Sequence, residues 1–415
     1  MLANGKGAMR KKIEEIKESA KRAVQKPAAY GSDIDIEAFD TRVKKLPFLE
    51  DLTHLPDEER KEMLKAGIDP AEGQRAGSFL QINHSVVHYK VKQEGVEILS
   101  TEEAIKKYDW LLDYWWQAVP VDADKYTARV ELHQEHGYFI RVLPGVKTTY
   151  PLQACLYMSQ EHISQDVHNI IICEEGSELH IITGCATSHR VISGLHLGVS
   201  EFYIKRGATC SFTMIHNWAE EMQVRPRTGI IVEEGGTFIS NYVCLKPVKD
   251  LQMLPTAYLG PNAVARFSSV LVASPNCFMD VGSRVFLRGE GSRAEVISRA
   301  ITTGGKIIAR GYLIGESPHI KAHLECKGLI LSERGIIHAI PELEGHVSGV
   351  EMSHEAAVGK IAQEQIEYLM ARGLSEEEAT SLIVRGFLRI DIEGLPPELK
   401  AELEKVIEAT EKDVL

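Results

Sequence analysis

The sequence predicts a mainly β protein: a parallel β-helix core flanked by N- and C-terminal helical regions. Three observations carry this. Between about Lys125 and Ser353, short β-branched and aromatic runs alternate with charged, glycine-bearing corners, a texture of strands rather than helices. The corners rhyme: EEGSELHI at 174, KRGATCSF at 205, EEGGTFIS at 233, GEGSRAEV at 289 and ERGIIHAI at 333. The corner glycines at 176, 207 and 235 recur at intervals of 31 and 28, the spacing of a solenoid in which each coil stacks on its neighbour and buries a continuous core. A sandwich with long Greek-key connections is the competing architecture.

Taken in order, residues 1–125 read as a mainly helical region. Ile13, Ile16, Ala20, Ala23 and Val24 repeat at helical spacing until Pro27 stops them; Pro56–Ala66 is a second helix and Glu102–Trp116 a third. The aromatics of that third stretch, Trp110, Tyr114, Trp115 and Trp116, read as packing residues. Residues 126–353 form the β-helix, with strands at Asn169–Cys173, Glu178–Thr183, Glu201–Ile204, Cys210–Met214, Gly229–Glu233 and Thr237–Leu245. Residues 354–415 are helical again: Ala362, Ile366, Leu369 and Met370 share a face, Gly373 stops the helix, and Ser375 with Glu378 forms a capping box for the next. Pro396 and Pro397 open a third helix in a tail with seven acids against three bases from Glu393 to Leu415.

Composition removes several function classes. At 44% hydrophobic and 26% charged the chain is globular, and its net charge of 47 − 59 = −12 argues against a nucleic-acid binder. No run approaches the ~20 apolar residues that cross a bilayer, and the basic N-terminus lacks the apolar stretch of a secretory signal, so a cytoplasmic location is expected. Seven cysteines are spread with no C-x-x-C pair, which leaves zinc fingers and ferredoxin-type clusters without support. There is no phosphate-cradling G-x-x-x-x-G-K-[ST], no G-x-S-x-G elbow and no H-E-x-x-H helix; the chain reads as no ATPase and, more broadly, as no classical enzyme.

Chemistry concentrates near the end of the predicted solenoid. His319, His323, His338, His346 and His354 lie in one window with Cys326 and the carboxylates Glu325, Glu342, Glu344, Glu351 and Glu355. In a β-helix, residues one coil apart become lateral neighbours, so Cys326, His338 and the His354-Glu355 pair are expected to converge. Thiolate, imidazole and carboxylate together suit iron or zinc. One cysteine is too few for a stable iron–sulfur cluster, which wants about four thiolates; two facing chains holding a cluster loosely fit the set better.

The block GHVSGVEMSHEAAVGKIAQEQIEYLMARGLSEEEATSLIVRGF, together with HLECKGLILS, HNW at 216–218, EEGSELHIITGCATSH at 174–189 and YGSDIDI at 30–36, resembles the SufB/SufD family, scaffolds of the Suf iron–sulfur assembly machinery. The resemblance covers most of the chain and implies a right-handed parallel β-helix. It implies that Cys326 is the cysteine where a nascent cluster is assembled, with Glu355 and His354 helping to hold it at a dimer interface. It implies that Cys185 receives sulfur, and that His216 and Trp218 lie on the route along the interior. It places a binding surface for SufC, an ABC-type ATPase, on Tyr368, Leu369, Arg372, Leu382, Ile383 and Phe387. The N-terminal C-x-x-C-x-x-x-C of many bacterial relatives is absent, and Gly335-Ile336-Ile337 replaces their cysteine-glycine-alanine before His338. These departures suit an archaeal-type or minimal-system member acting as a homodimer.

The expected function is therefore assembly of a transient iron–sulfur cluster from iron and a sulfur donor, and its transfer to acceptor proteins, driven by the ATPase partner. A structural, SufD-like organiser of that ATPase and a polysaccharide-active β-helix enzyme are the alternatives.

Overall fold

The computed structural model describes residues 2–134 and 136–388. The helix expected from Pro396 and the acidic tail lie outside the described residues. The N-terminal part holds α1 (Leu2–Ala23), α2 (Asp57–Lys65), β1 (Gly77–Ile82), β2 (Ser85–Val91), β3 (Val96–Ser100), α3 (Thr101–Lys107), α4 (Lys125–His133) and β4 (Tyr138–Val142). The solenoid continues through β5 (Leu152–Met158), β6 (Ser164–Cys173), β7 (Glu178–Thr187), β8 (Ser193–Ile204), β9 (Thr209–Asn217), β10 (Glu221–Val224), β11 (Arg227–Val232) and β12 (Thr237–Cys244). Next come β13 (Asp250–Met253), β14 (Thr256–Leu259), β15 (Val264–Ala273), β16 (Phe278–Leu287) and β17 (Arg293–Thr302). Last are β18 (Lys306–Gly315), β19 (Lys321–Ile330), β20 (Ile336–Gly345), β21 (Glu351–Gly359), α5 (Gln363–Met370) and α6 (Glu376–Leu388).

From β4 onward the chain passes back and forth between two sheets, and every pairing between coils is parallel. One sheet runs β2-β1-β5-β7-β9-β12-β15-β17-β19-β21; the other includes β4, β6, β8, β11, β14, β16, β18 and β20. Together they make a β-solenoid of about eight turns, which excludes the Greek-key sandwich. The corner glycines act as the sequence suggests. Gly176, Gly207, Gly235 and Gly291 have φ between 64° and 70°, where a side chain would be strained. Gly335, in the last of the rhyming corners, is not among the positive-φ glycines. Oppositely charged corners stack, with Arg206 on Glu175 at 2.7 Å and Lys205 on Glu233 at 2.9 Å.

Inward residues of the two sheets form one continuous apolar core along the solenoid axis. Outside it, α1, α4 and the aromatic segment around Trp115 and Trp116 cover one sheet, α2 covers the start of the other, and α6 lays Val384 and Phe387 over Val270, Val272 and Ile301. Two expectations for the N-terminal region are corrected. Residues 77–100 form three strands, because β1 and β2 pair as a hairpin that continues the solenoid sheet onto β5. The helix expected over Glu102–Trp116 ends at Lys107, is opened by a capping box of Ser100 and Glu103, and gives way to a short turn of 3₁₀ helix at Asp109–Asp113. The aromatics there pack against Phe139, Ile170 and Ile172, as expected of core residues.

The C-terminal end of the solenoid differs from its middle. Inward positions of β18 and β19 are buried, whereas most of β20 and β21 is exposed or half-buried. Among the described residues no further coil stacks on this end, so the edges of both sheets are uncovered and the inward side chains of the last coil, such as Ile337, Leu343 and Met352, are only half-buried against the core.

Candidate functional site

Strand alternation places the chemistry-bearing side chains in two sets. The first is interior. Cys185, His216 and Cys244 are consecutive in-register neighbours on β7, β9 and β12, all inward and buried. The His216 ring lies 5.5 Å from that of Trp218, which lies 4.9 Å from that of His196. Cys185, His216 and Trp218, expected along one route, are thus brought together. Burial pushes the Cys185 thiol up and the His216 imidazole well below its usual range, with His196 adding to the latter shift. Burial takes His196 down to about 3. Both rings are neutral at physiological pH. His216 Nδ1 is 2.7 Å from the Tyr242 hydroxyl, while its Nε2 and the Trp218 Nε1 have no hydrogen-bond partner inside the protein.

A parallel interior row, two residues nearer the start of each strand, reads Tyr242, Ser269, Ser298, Cys326 and Ala356. Sequence reasoning found Cys326 but missed the rest of this row and Cys244. The signal was present as TFISNYVC, ARFSSVLVA and AEVISRAIT, in which small polar residues interrupt apolar alternation at about one-coil spacing.

The second set is at the uncapped end. Cys326 is 2% exposed and faces inward one coil below the last. Burial pushes its thiol up to about 11; Glu325 adds to this and Arg299 opposes it. His354 is in register with Leu324, so it shares the inward face but lies on the exposed final coil. Glu355 is in register with Glu325 and belongs to the outer face. There it is 59% exposed and 3.6 Å from Lys327. Glu325 is gripped by Arg299 and, at 2.7 Å, by Lys327; burial works against its charge, but these bonds outweigh it and hold the carboxyl below its usual range.

The expected convergence of Cys326, His338 and Glu355 within one chain is therefore corrected. His354 and Cys326 share a face; Glu355 is across the sheet from the thiol, and His338 lies on β20, in the other sheet. The cause is parity, since adjacent residues on a strand point to opposite faces. Glu351 pairs with Lys321 at 2.9 Å. Among the described residues no three His, Cys, Asp or Glu side chains are grouped to hold a metal ion.

The C-terminal helices supply the third feature. Tyr368 is 59% and Leu382 47% exposed, Arg372 is exposed with its guanidinium bonded to the Tyr368 hydroxyl at 2.9 Å, and Leu369 and Ile383 are half-buried. Phe387, expected on the same partner-facing surface, instead packs against the solenoid, because it follows the buried Val384 by three residues on one face of α6. The predicted capping box is present, with Ser375 and Glu378 exchanging backbone N–H bonds of 2.8 and 3.1 Å.

The two-sheeted solenoid, with buried thiols on its inner wall and an uncapped last coil, places the chain in the β-helix class. Residues 156–387 match the family model described as SUF system FeS cluster assembly, SufBD core domain. The chain is 50% identical over 402 residues to an iron-sulfur cluster assembly SufBD family protein of Methanothermobacter thermautotrophicus, covering 95% of this chain and 98% of that protein. It is 54% identical to another from Archaeoglobus fulgidus over 86% of this chain and 96% of the relative, and 29% identical to the iron-sulfur cluster assembly protein SufB of Bacillus subtilis over 85% and 78%. The chain belongs to the SufBD family of iron–sulfur cluster assembly proteins.

Proposed function

We propose that this protein is a scaffold on which iron and sulfide are joined into a transient cluster and passed to acceptor proteins. The observation that carries the reading is the uncapped last coil, which leaves His354 exposed on the same inward face as Cys326. A thiolate is the soft ligand and an imidazole the borderline one, so this pair suits iron. Glu355 lies one face away and is exposed, free to exchange Lys327 for a metal at little cost, since an exposed ion pair is worth about 0–1 kcal/mol.

One chain offers too few ligands, and the open edges of β20 and β21 suit pairing with a second copy. A homodimer joined there gathers two thiols and two sets of histidine and carboxylate. The exposed face of α5 and α6, with Tyr368, Leu369, Arg372, Leu382 and Ile383, suits an ABC-type ATPase partner of the SufC kind. This chain shows no phosphate-cradling motif of its own, so nucleotide binding on that partner supplies the rearrangement that opens the seam. The setting is cytoplasmic; no described helix is long and apolar enough to cross a membrane.

The test is anaerobic reconstitution of the full chain with iron and sulfide. A charge-transfer absorption is expected in the wild type, lost in Cys326→Ala and weakened in His354→Ala and Glu355→Gln. An unchanged spectrum in Cys326→Ala overturns the assignment of the thiol. A second reading, a SufD-like organiser of the ATPase, is favoured by the separation of Cys326 from Glu355; complementation that survives loss of Cys326 but not Leu382→Asp selects it. Family membership displaces the polysaccharide-active reading.

A further inference from the structure

The turn between β1 and β2 holds a buried imidazole with one ring nitrogen unused. Asn83 takes a φ of 51° there, a left-handed conformation that asparagine tolerates, and its N–H bonds to the carbonyl of Tyr157, which fixes the hairpin tip against β5. His84 follows at 5% exposure, with its Nε2 2.7 Å from the carbonyl oxygen of Ser164. A carbonyl only accepts, so this contact assigns the donor proton to Nε2 and leaves Nδ1 of the neutral ring as an acceptor. Nδ1 is buried and has no hydrogen-bond partner inside the protein, an uncommon state for a buried polar atom.

His84 forms part of the wall of an open pocket of about 430 Å³, within the range of roughly 300–1,000 Å³ typical of small-molecule sites. Its other walls come from the stretch before α2 (Lys45, Phe48), from β2 (Tyr89) and from α3 (Glu102, Glu103). Phe48 is 52% exposed, yet its ring lies 5.5 Å from that of Tyr89, edge to face, and the two make an apolar shelf. Most of the polar wall is already engaged. Glu103 caps α3 and accepts from the Tyr89 hydroxyl at 3.2 Å, while Glu102 pairs with Lys106 at 2.5 Å and with His136 at 3.5 Å. Two groups are not engaged: His84 Nδ1, and the exposed Lys45, which forms no hydrogen bond or ion pair with the described residues.

That combination calls for a ligand with a donor at one end and an anion at the other. An ammonium suits the donor end, because the two carboxylates and the faces of two aromatic rings in the same wall all favour positive charge. Lys45 and Lys106 balance Glu102 and Glu103, so the pocket suits a zwitterion better than an ion of single sign. A divalent metal is the competing guest, but among the described residues no three His, Cys, Asp or Glu side chains are grouped for one. We propose that this pocket binds a free α-amino acid with an apolar side chain. Its ammonium donates to His84 Nδ1 in the field of Glu102 and Glu103, its carboxylate meets Lys45, and its side chain lies against Phe48 and Tyr89. The site is independent of the scaffold reading, whose ligands lie at the other end of the solenoid.

Isothermal titration of the full chain with L-methionine tests the assignment, and saturable one-to-one binding is expected. N-acetyl-L-methionine, which lacks the ammonium, should bind about tenfold more weakly or worse, since a charge-assisted hydrogen bond is lost. L-methioninamide, which lacks the carboxylate, should lose about two- to fivefold, the worth of an exposed ion pair. Lys45→Gln should weaken L-methionine by the same factor and leave the amide unaffected. His84→Leu should abolish binding, and Phe48→Ala, at a largely exposed position, should weaken it severalfold in a chain whose melting temperature is unchanged. No binding at millimolar L-methionine, equal binding of the N-acetyl form, or an amide as sensitive to Lys45→Gln as L-methionine itself overturns the proposal. So does zinc binding that His84→Leu abolishes in a chain that takes no amino acid.

Discussion

Alkylation of Cys326 by iodoacetamide measures the state of the thiol on which the proposed site depends. Its pKa is raised to about 11 from an ordinary 9.0, chiefly by burial. Only the thiolate reacts, so at pH 8 the reactive fraction is about 0.1%, against about 10% for an unshifted thiol, a slowing of roughly 100-fold before any steric barrier. The rate should rise tenfold per pH unit from 7 to 10 and level near 11. Charge changes next door should move it in opposite directions. Glu325→Gln removes a charge that disfavours the thiolate and should speed the reaction, whereas Arg299→Gln removes one that favours it and should slow it. Peptide mass spectrometry after timed quenching resolves Cys326 from the other six thiols. A rate at pH 8 within about threefold of free cysteine, or a profile that levels near 9, refutes the buried placement of the thiol.

Iron affinity should follow the same proton: binding of ferrous iron by the full chain is expected to tighten about tenfold per pH unit between 7 and 9, and a flat titration would remove Cys326 from the ligand set. His196 and His216 are held neutral by burial, with folded pKa values depressed from 6.5. Their contribution to stability is present above pH 6.5 and is lost as pH falls, for His196 down to about 3, at about 1.4 kcal/mol per pH unit for each ring. Urea unfolding between pH 6 and 4 should show that slope reduced by about one such increment in His196→Gln; an identical slope refutes it. Gly289→Ala should cost about 1–3 kcal/mol or more in the same assay, because a Cβ there falls 2.0 Å from backbone atoms of Gly260 and Pro261. Tyr368→Ala with Leu382→Asp should abolish capture of the ATPase partner while leaving the melting temperature within about 2 °C, since both side chains are largely exposed.

The solenoid was legible in the sequence because its corners repeat. A glycine forced to positive φ after a pair of charges marks the coil period, and the spacings of 31 and 28 between Gly176, Gly207 and Gly235 match the register offsets from Cys185 to His216 and from His216 to Cys244. The helices at the C-terminus announced themselves through caps. Strands β1 to β3 did not, because a short hairpin inside a helix-rich region carries no repeat and gains its stability from pairing with β5, far along the chain. For the site, lateral adjacency was sound but parity was not resolved. Cys326 pairs with Ala356, thirty residues on, so Glu355 is one position short of register and lies across the sheet, whereas His354 is two short and returns to the thiol's face.

Under the proposed scaffold reading, that one-residue offset bears directly on how long a cluster would stay bound. Deprotonating Cys326 at pH 7 costs about 5 kcal/mol, roughly twice the cost for an ordinary thiol, and this is subtracted from every iron–thiolate bond formed there. Glu355 cannot offset the loss from the opposite face of its own strand, and its charge is already shared with Lys327. A single chain is therefore a poor chelator by construction. In the proposed homodimer, two chains meeting at their last coils would double the thiols and carboxylates within reach of one cluster, so binding strength would be tied to contact between the copies. Separating the proposed copies would break the iron–thiolate bonds as each Cys326 regains a proton from solvent and each Glu355 its Lys327 partner, so release would follow from loss of contact.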